Sequence, residues 1–94
     1  MSKELIAVDK NCLYNGVKQS INGCPVALGL REKYYNVQVA STKIGFGPPD
    51  KRQEFENSWD LRKWILAFDA GEKVDEIIIA LDFNSGMAFI AEEA

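Results

Sequence analysis

The sequence predicts a single small α+β domain, with about five short, mostly antiparallel strands and two main helices packed on one face. Three observations lead to this prediction. The chain has 94 residues, so we interpret residues 1–94 as one domain. Short apolar or alternating segments recur between turn residues, which is the pattern of strands. Two longer segments carry apolar residues at helical spacing behind capping residues, which is the pattern of helices.

Five segments predict the strands. Glu4–Val8 is a short apolar run, and Glu76–Leu81 is a longer β-branched run typical of a strand covered on both faces. Val37–Ala40 alternates apolar and polar residues, and Lys43–Phe46 is its expected hairpin partner. Met87–Ile90 follows a turn and predicts the last strand. The stretch between Phe46 and the next helix is expected to be a polar loop that runs to Glu56.

The first main helix is predicted over residues 24–34. Pro25 suits the first helical position, and apolar residues follow it at helical spacing. Gly29 weakens this helix by about 1 kcal/mol relative to alanine, which indicates a close contact with another element. A shorter helical turn is predicted before it, over residues 11–16, with Asn11 as its cap.

The second main helix is predicted to begin at the cap Asn57-Ser58 and to end at Gly71. Its core stripe repeats at the i, i+3, i+4 and i+7 positions and consists of Leu61, Trp64, Ile65 and Phe68. We expect Trp59, Leu66 and Ala67 to widen this apolar face, with Trp59 partly exposed at the first turn.

Charge and hydropathy exclude two classes of partner. The chain has 11 Lys plus Arg against 14 Asp plus Glu, a formal net charge of −3. A nucleic-acid partner is not expected, because the basic footprint for phosphate binding is missing. A membrane partner is not expected either, since no apolar run approaches the roughly 20 residues of a membrane span. The segment Met1–Leu5 lacks an export signal, so we expect a cytoplasmic protein.

The chain has no histidine, and Cys12 and Cys24 are its two thiols. A Ser-His-Asp or Cys-His arrangement is therefore impossible. Two isolated cysteines also cannot build a closed zinc site, and we expect both to stay reduced in a cytoplasmic setting. The sequence thus predicts no enzyme activity, no metal site and no cofactor.

Two features are candidates for contact with a protein partner. In the stretch Gly45–Arg52, flexible glycines flank Phe46, two prolines follow, and Lys51 and Arg52 are expected at the tip. A rigid scaffold often presents such a loop for recognition, although a plain solvated connection has the same composition. Trp59 is the second candidate, since an exposed tryptophan suits an interface anchor and equally suits a staple over the helix start.

An alternative ligand site is expected at the start of the first main helix. Asn22, Gly23 and Cys24 expose backbone N–H groups there, and Arg31 supplies a counter-charge for a phosphate or nucleotide. The helix start would also lower the pKa of the Cys24 thiol and raise its reactivity. The competing interpretation is that Cys24 is a small buried cap packed against the core.

Two motifs resemble a known family. Cys24–Leu30 (CPVALGL) is similar to the CPVALAL signature of small uncharacterised proteins from phages and bacterial mobile elements, and Phe68–Gly71 (FDAG) is similar to the helix end of that family. The order of segments agrees over roughly residues 4–81. The chain departs from the family pattern at Asp75-Glu76, where the family tends to have Pro-Phe, and in the additional strand Met87–Ile90. The resemblance implies a phage or prophage origin and no particular reaction.

Together these observations lead to two functional hypotheses. The first is a small phage or mobile-element accessory protein that binds a host protein stoichiometrically and inhibits a bacterial defence component. The alternative is a sponge that sequesters a small phosphorylated or nucleotide signal. The apolar segment Met87–Ile90 also offers an edge for pairing with a second copy, so a homodimer through the C-terminal strand is a further expectation.

Overall fold

One six-stranded sheet organises the computed structural model, which describes the backbone of residues 3–93 and the side chains of residues 3–91. The strands are β1 (Lys3–Val8), β2 (Gln38–Val39), β3 (Lys43–Phe46), β4 (Gln53–Asn57), β5 (Ile77–Asp82) and β6 (Met87–Glu93). The helices are α1 (Lys10–Asn15), α2 (Pro25–Leu30) and α3 (Trp59–Asp69), with a 3₁₀ turn at Pro49–Lys51. All five predicted strands are present, with boundaries shifted by a few residues.

The strands lie in the order β1-β5-β6-β4-β3-β2, and every neighbouring pair is antiparallel except β4 and β6. The parallel pair arises because α3 and β5 separate β4 from β6 along the chain, so the chain returns beside β4 in the same direction. The predicted α+β class with a mostly antiparallel sheet is confirmed.

Strand β4 replaces the last part of the predicted polar loop, from Gln53 onwards. Its sequence, QEFEN, contains Phe55 as its one apolar residue, so the two-residue apolar period that marks a strand is too weak to see. In the structure Phe55 and Asn57 point into the core while the glutamates between and beside them are exposed. Pairing with β3 on one side and β6 on the other therefore decides the conformation of this segment.

The sheet register places the buried side chains on one face, and all three helices pack there. Residues from the strands that share this face include Ile6, Val8, Val39, Ile44, Phe46, Phe55, Ile77, Ile79, Leu81 and Ala88. Helix α3 adds Leu61, Trp64 and Ile65 to the same cluster. On the opposite face the exposure is uneven, since the side chain of Leu5 is 57% exposed while its cross-strand neighbour Ala80 is buried.

Helix α2 is shorter than predicted, because it ends at Leu30. Residues 31–33 continue as a turn in which the N–H groups of Lys33 and Tyr34 donate to the Leu30 carbonyl, and the Tyr34 ring stacks on Phe46. Gly29 makes the close contact that the sequence indicated. A Cβ atom at this position would lie 2.9 Å from the carbonyl oxygen of Ala7 and 3.3 Å from Cγ2 of Ile6. Helix α2 therefore crosses β1 at backbone distance, which no larger residue would allow without a shift.

Helices α1 and α3 each begin with a side-chain cap. Asp9, and not Asn11 as predicted, caps α1, because its carboxylate accepts a 3.1 Å hydrogen bond from the N–H of Cys12. This hydrogen bond also holds the pKa of Asp9 below its ordinary value. Ser58 caps α3 as predicted, with its Oγ 3.3 Å from the N–H of Leu61.

Candidate functional site

Phe46 lies in the hydrophobic core, with 3% of its surface exposed. Its ring stacks on Tyr34 at a centroid distance of 4.0 Å and on Phe55 at 5.8 Å. These aromatic contacts join the segment after α2 to strands β3 and β4. Phe46 therefore presents no ring surface to a partner, although the sequence placed it in the contact loop.

Arg52, also expected to contact a partner, holds the loop together from within. Its Nη1 donates to the carbonyl oxygens of Asn36 at 2.6 Å and Gly47 at 2.9 Å, and its Nη2 donates to Oε1 of Gln38 at 3.0 Å. Gly47 has a φ of +98°, and its carbonyl also accepts from Nδ2 of Asn36 at 3.0 Å. The guanidinium thus ties three chain segments into one cluster, a role that its five-donor fork suits.

Replacement of Arg52 by alanine should lower the free energy of unfolding by about 2–3 kcal/mol, because each of three hydrogen bonds contributes about 1 kcal/mol. Urea denaturation followed by tryptophan fluorescence measures this. Lys51 is the matched control, since it is exposed and its alanine variant should change stability by less than about 0.5 kcal/mol. Equal stabilities for the two variants would contradict the structural role of Arg52.

The two remaining contact candidates, Lys51 and Trp59, are both exposed but do not form one patch. They lie beyond opposite ends of β4, whose five extended residues alone span about 13 Å. The contact loop and the start of α3 are therefore separate surfaces, and the structure does not bring the four predicted contact residues together.

Trp59 belongs instead to an apolar pair on the outward face of α3. Its side chain is 70% exposed, and that of Leu66, seven residues later, is 54% exposed. Seven residues correspond to almost two turns, so the two side chains lie about 20° apart around the helix axis and about 10 Å apart along it. The expectation that Trp59 and Leu66 widen the core face is wrong, because this direction points away from Leu61 and the sheet.

Basic side chains flank this pair, and the helix beneath it is well anchored. Arg62 is half-buried and its Nε donates to the carbonyl oxygen of Asn57 at 3.3 Å, while Lys63 is exposed. On the inner side, Nε1 of Trp64 donates to the carbonyl oxygen of Asp75 at 3.0 Å. We call Trp59, Arg62, Lys63 and Leu66 the α3 outer face. It is an apolar and cationic surface on the one long helix of the described chain.

The alternative ligand residues are partly brought together. Asn22, Gly23 and Arg31 line one open groove of about 540 Å³ between the start of α2 and the segment that follows it. Its other polar residues are Tyr34, Tyr35, Asn36 and Gln38. We call this the Arg31 groove. The N–H of Gly23 is already engaged within the chain, since it donates to Oγ of Ser20 at 3.0 Å.

Cys24 does not belong to the groove, because it is buried with 4% of its surface exposed. Its Sγ accepts a 3.5 Å hydrogen bond from the N–H of Ala27 and so caps α2. Burial raises the pKa of the Cys24 thiol, and it raises that of Cys12 for the same reason. The structure thus agrees with the buried-cap interpretation of Cys24.

Both thiols should therefore react slowly in the folded protein. Their pKa values lie above the ordinary 9.0, so the thiolate fraction at pH 8 is smaller than in the unfolded chain and rises only at more alkaline pH. Alkylation by iodoacetamide, followed by intact mass, should be at least about tenfold slower without urea than with it. A rapid native reaction of one thiol at pH 7 would contradict this, and the Cys24→Ser variant identifies which thiol reacts.

Comparison of the chain with known protein families, with curated proteins and with solved structures found no match. Within the described residues, no helix is long and apolar enough to cross a membrane.

Proposed function

We propose that this protein is a binding module that engages a protein partner stoichiometrically through the α3 outer face. The observation that carries the proposal is the exposed pair Trp59 and Leu66, aligned on one side of an anchored helix. Protein interfaces are enriched in tryptophan and arginine, and their binding energy is concentrated in a few such residues.

Three properties of α3 support this role. Other exposed apolar side chains lie on strand β1 (Leu5), on the six-residue helix α1 (Tyr14) or in loops, whereas Trp59 and Leu66 share the longest helix. The helix is fixed by its Ser58 cap and its buried stripe, so presenting the pair costs little conformational entropy. Lys63 adds a free cation beside the apolar pair, which favours a partner surface with an apolar cleft and an acidic rim.

Replacement of Trp59 by alanine should weaken partner binding by about 30-fold or more, the effect of losing an interface hot spot of about 2 kcal/mol. The measurement is recovery of partner from a bacterial lysate on immobilised wild type and variant, quantified by mass spectrometry. Leu66→Ala should also weaken partner binding.

Tyr14→Ala is the matched control, because Tyr14 is 89% exposed and lies on α1. Its partner recovery should equal that of the wild type. A partner retained at wild-type level by the Trp59→Ala, Leu66→Ala double variant would contradict the proposal.

The Arg31 groove supports a second candidate function, the sequestration of a small phosphorylated or nucleotide signal. The supporting observation is that the groove gathers Asn22, Gly23 and the exposed Arg31 beside two tyrosines, a setting for a phosphate and a base. Isothermal titration with cyclic and linear nucleotides tests it. Binding that is lost in Arg31→Ala and kept in Arg62→Ala supports the sponge, and no heat across the panel counts against it.

We also propose a biological setting for these functions. The similarity of Cys24–Leu30 and Phe68–Gly71 to a phage and mobile-element family supports a host protein, such as a defence component, as the partner. The chemistry proposed here is binding in the cytoplasm without a catalytic step, as the lack of histidine favours.

A further inference from the structure

Strand β6 changes its surroundings halfway along its length. It pairs with β5 along its whole length, but with β4 only at Met87 and Ala88. The predicted edge Met87–Ile90 is therefore covered on both sides in its first half and open on one side in its second. The chain leaves β4 at Ser58, whose N–H donates to the carbonyl oxygen of Ala88 at 2.7 Å, and then enters α3.

The open half of this edge exposes main-chain hydrogen-bonding groups. Successive residues of a strand direct their N–H and C=O groups to alternate edges. The carbonyl oxygens of Gly86 and Ala88 accept bonds from Glu56 and Ser58 on the β4 side, so the N–H and C=O of Ile90 face the same side. No strand of the described chain occupies that position.

A groove runs along the open edge. It has a volume of about 640 Å³ and lies between β6 at Ile90 and Ala91, helix α3, and the residues 73–75 that lead into β5. Trp64, Ala67 and Val74 give it an apolar lining. Asp60, Lys63, Lys73 and Asp75 place both signs of charge at its rim.

The two outermost strands of the sheet offer other surroundings. Helix α2 approaches the Ala7 carbonyl of β1, and Glu4 of β1 pairs with Lys33. Strand β2 has only two residues. The open half of β6 carries the apolar residues Phe89, Ile90 and Ala91, and its pairing with β5 shifts register after Ile90, so the main-chain groups that face the open side before this bulge are those of Ile90.

We propose that the groove between α3 and β6 binds an extended peptide segment of a partner protein, which adds to the sheet as a strand beside Ile90. An extended chain is the ligand that satisfies the open N–H and C=O groups of Ile90, and α3 supplies the second wall of the groove. The apolar lining selects a branched apolar side chain, and the mixed rim selects a segment of low net charge. The groove borders the α3 outer face at Lys63, which belongs to both, but Trp59 and Leu66 do not line it.

A second copy of this chain is the less favourable occupant. Antiparallel pairing of two β6 edges would place both α3 helices on the same face of the joined sheet. The two helices would then meet above a groove that one helix already borders. Each copy would also bring a net charge of −3 to the contact.

The experiment uses a random heptapeptide display library, panned on the wild type and on two variants. Ala67→Trp fills the groove from α3, and Ala70→Trp places the same side chain one turn further on, at an exposed position that does not line the groove. We expect peptides to be enriched on the wild type and on Ala70→Trp and to be lost on Ala67→Trp. Thermal melts establish that both variants are folded.

Amide hydrogen exchange by NMR then locates the bound peptide. In the free protein the Ile90 N–H should exchange rapidly while the Phe89 N–H, which faces β5, is protected. A selected peptide should slow exchange at Ile90 by at least about tenfold and leave Phe89 unchanged. Enriched peptides that do not slow amide exchange at Ile90 would overturn the proposal. So would peptides that are enriched no more on the wild type than on Ala67→Trp. If amide exchange at Ile90 slows with rising protein concentration in the absence of peptide, the occupant is a second copy and the proposal is overturned.

Discussion

Replacing Asn57 with aspartate should destabilise the fold by about 3–5 kcal/mol at neutral pH, the effect of an uncompensated buried charge. Asn57 is 2% exposed and lies at the end of β4. Its Nδ2 donates to the carbonyl oxygens of Ala40 and Ser41, both at 3.0 Å. Aspartate would place a carboxylate oxygen against these two acceptors and remove both hydrogen bonds.

The effect should depend on pH in a definite direction. The two carbonyl oxygens favour the neutral carboxyl, so the folded-state pKa of the new aspartate lies above the unfolded value of about 3.9. The free energy of unfolding of the variant should therefore fall as pH rises above about 4 and recover below it. Urea denaturation at pH 3.5 and pH 7 measures this. Asn84→Asp, at an exposed turn, is the control, and equal stability of the two variants at pH 7 would contradict the account.

Truncating Leu61 to alanine should lower the free energy of unfolding by about 3–5 kcal/mol, because a fully buried leucine leaves a cavity that the core cannot fill. Leu61 is 0% exposed and is the first residue of the buried stripe of α3. The variant should lose much of its stability and with it the platform that presents the outer face.

Leu66→Ala is the matched substitution on the opposite side of the same helix. It should change stability by less than about 0.5 kcal/mol, since this leucine makes no core contact of comparable extent. It should nevertheless lose partner binding. Chemical denaturation of the two variants side by side separates stability from recognition, and a Leu66→Ala variant as unstable as Leu61→Ala would show that Leu66 belongs to the core.

The strands and helices with strong periodicity could be predicted from the sequence, and those decided by tertiary contacts could not. The β-branched run of β5 and the apolar stripe of α3 can both be recognised from the sequence. Strand β4 does not, because Phe55 is its single apolar residue and its neighbours in the sheet supply the rest of the signal. The end of α2 at Leu30 is also not visible in the sequence, where the apolar spacing continues to Tyr34, whose ring stacks on Phe46 of β3.

The candidate site shows the same division. The sequence identifies Trp59 as partly exposed, and a spacing of seven places Leu66 on the same side of the helix, although the sequence alone assigns both to the core face. Loop composition predicts a contact surface at Phe46 and Arg52 but cannot reveal that the ring and the guanidinium turn inward. The open half of β6 also has no sequence signal, since it arises where β4 ends and α3 begins.

Site-specific photo-crosslinking in bacterial cells tests whether a protein partner binds the α3 outer face. The photoreactive residue benzoylphenylalanine is placed at Ala70, an exposed position one turn after Leu66, in one variant and at the exposed Tyr14 in a second. We expect one crosslinked species of protein mass from position 70, absent when Trp59 is also alanine, and none from position 14. No crosslink from position 70, or a crosslink from position 70 irrespective of Trp59, would show that the partner does not bind this face.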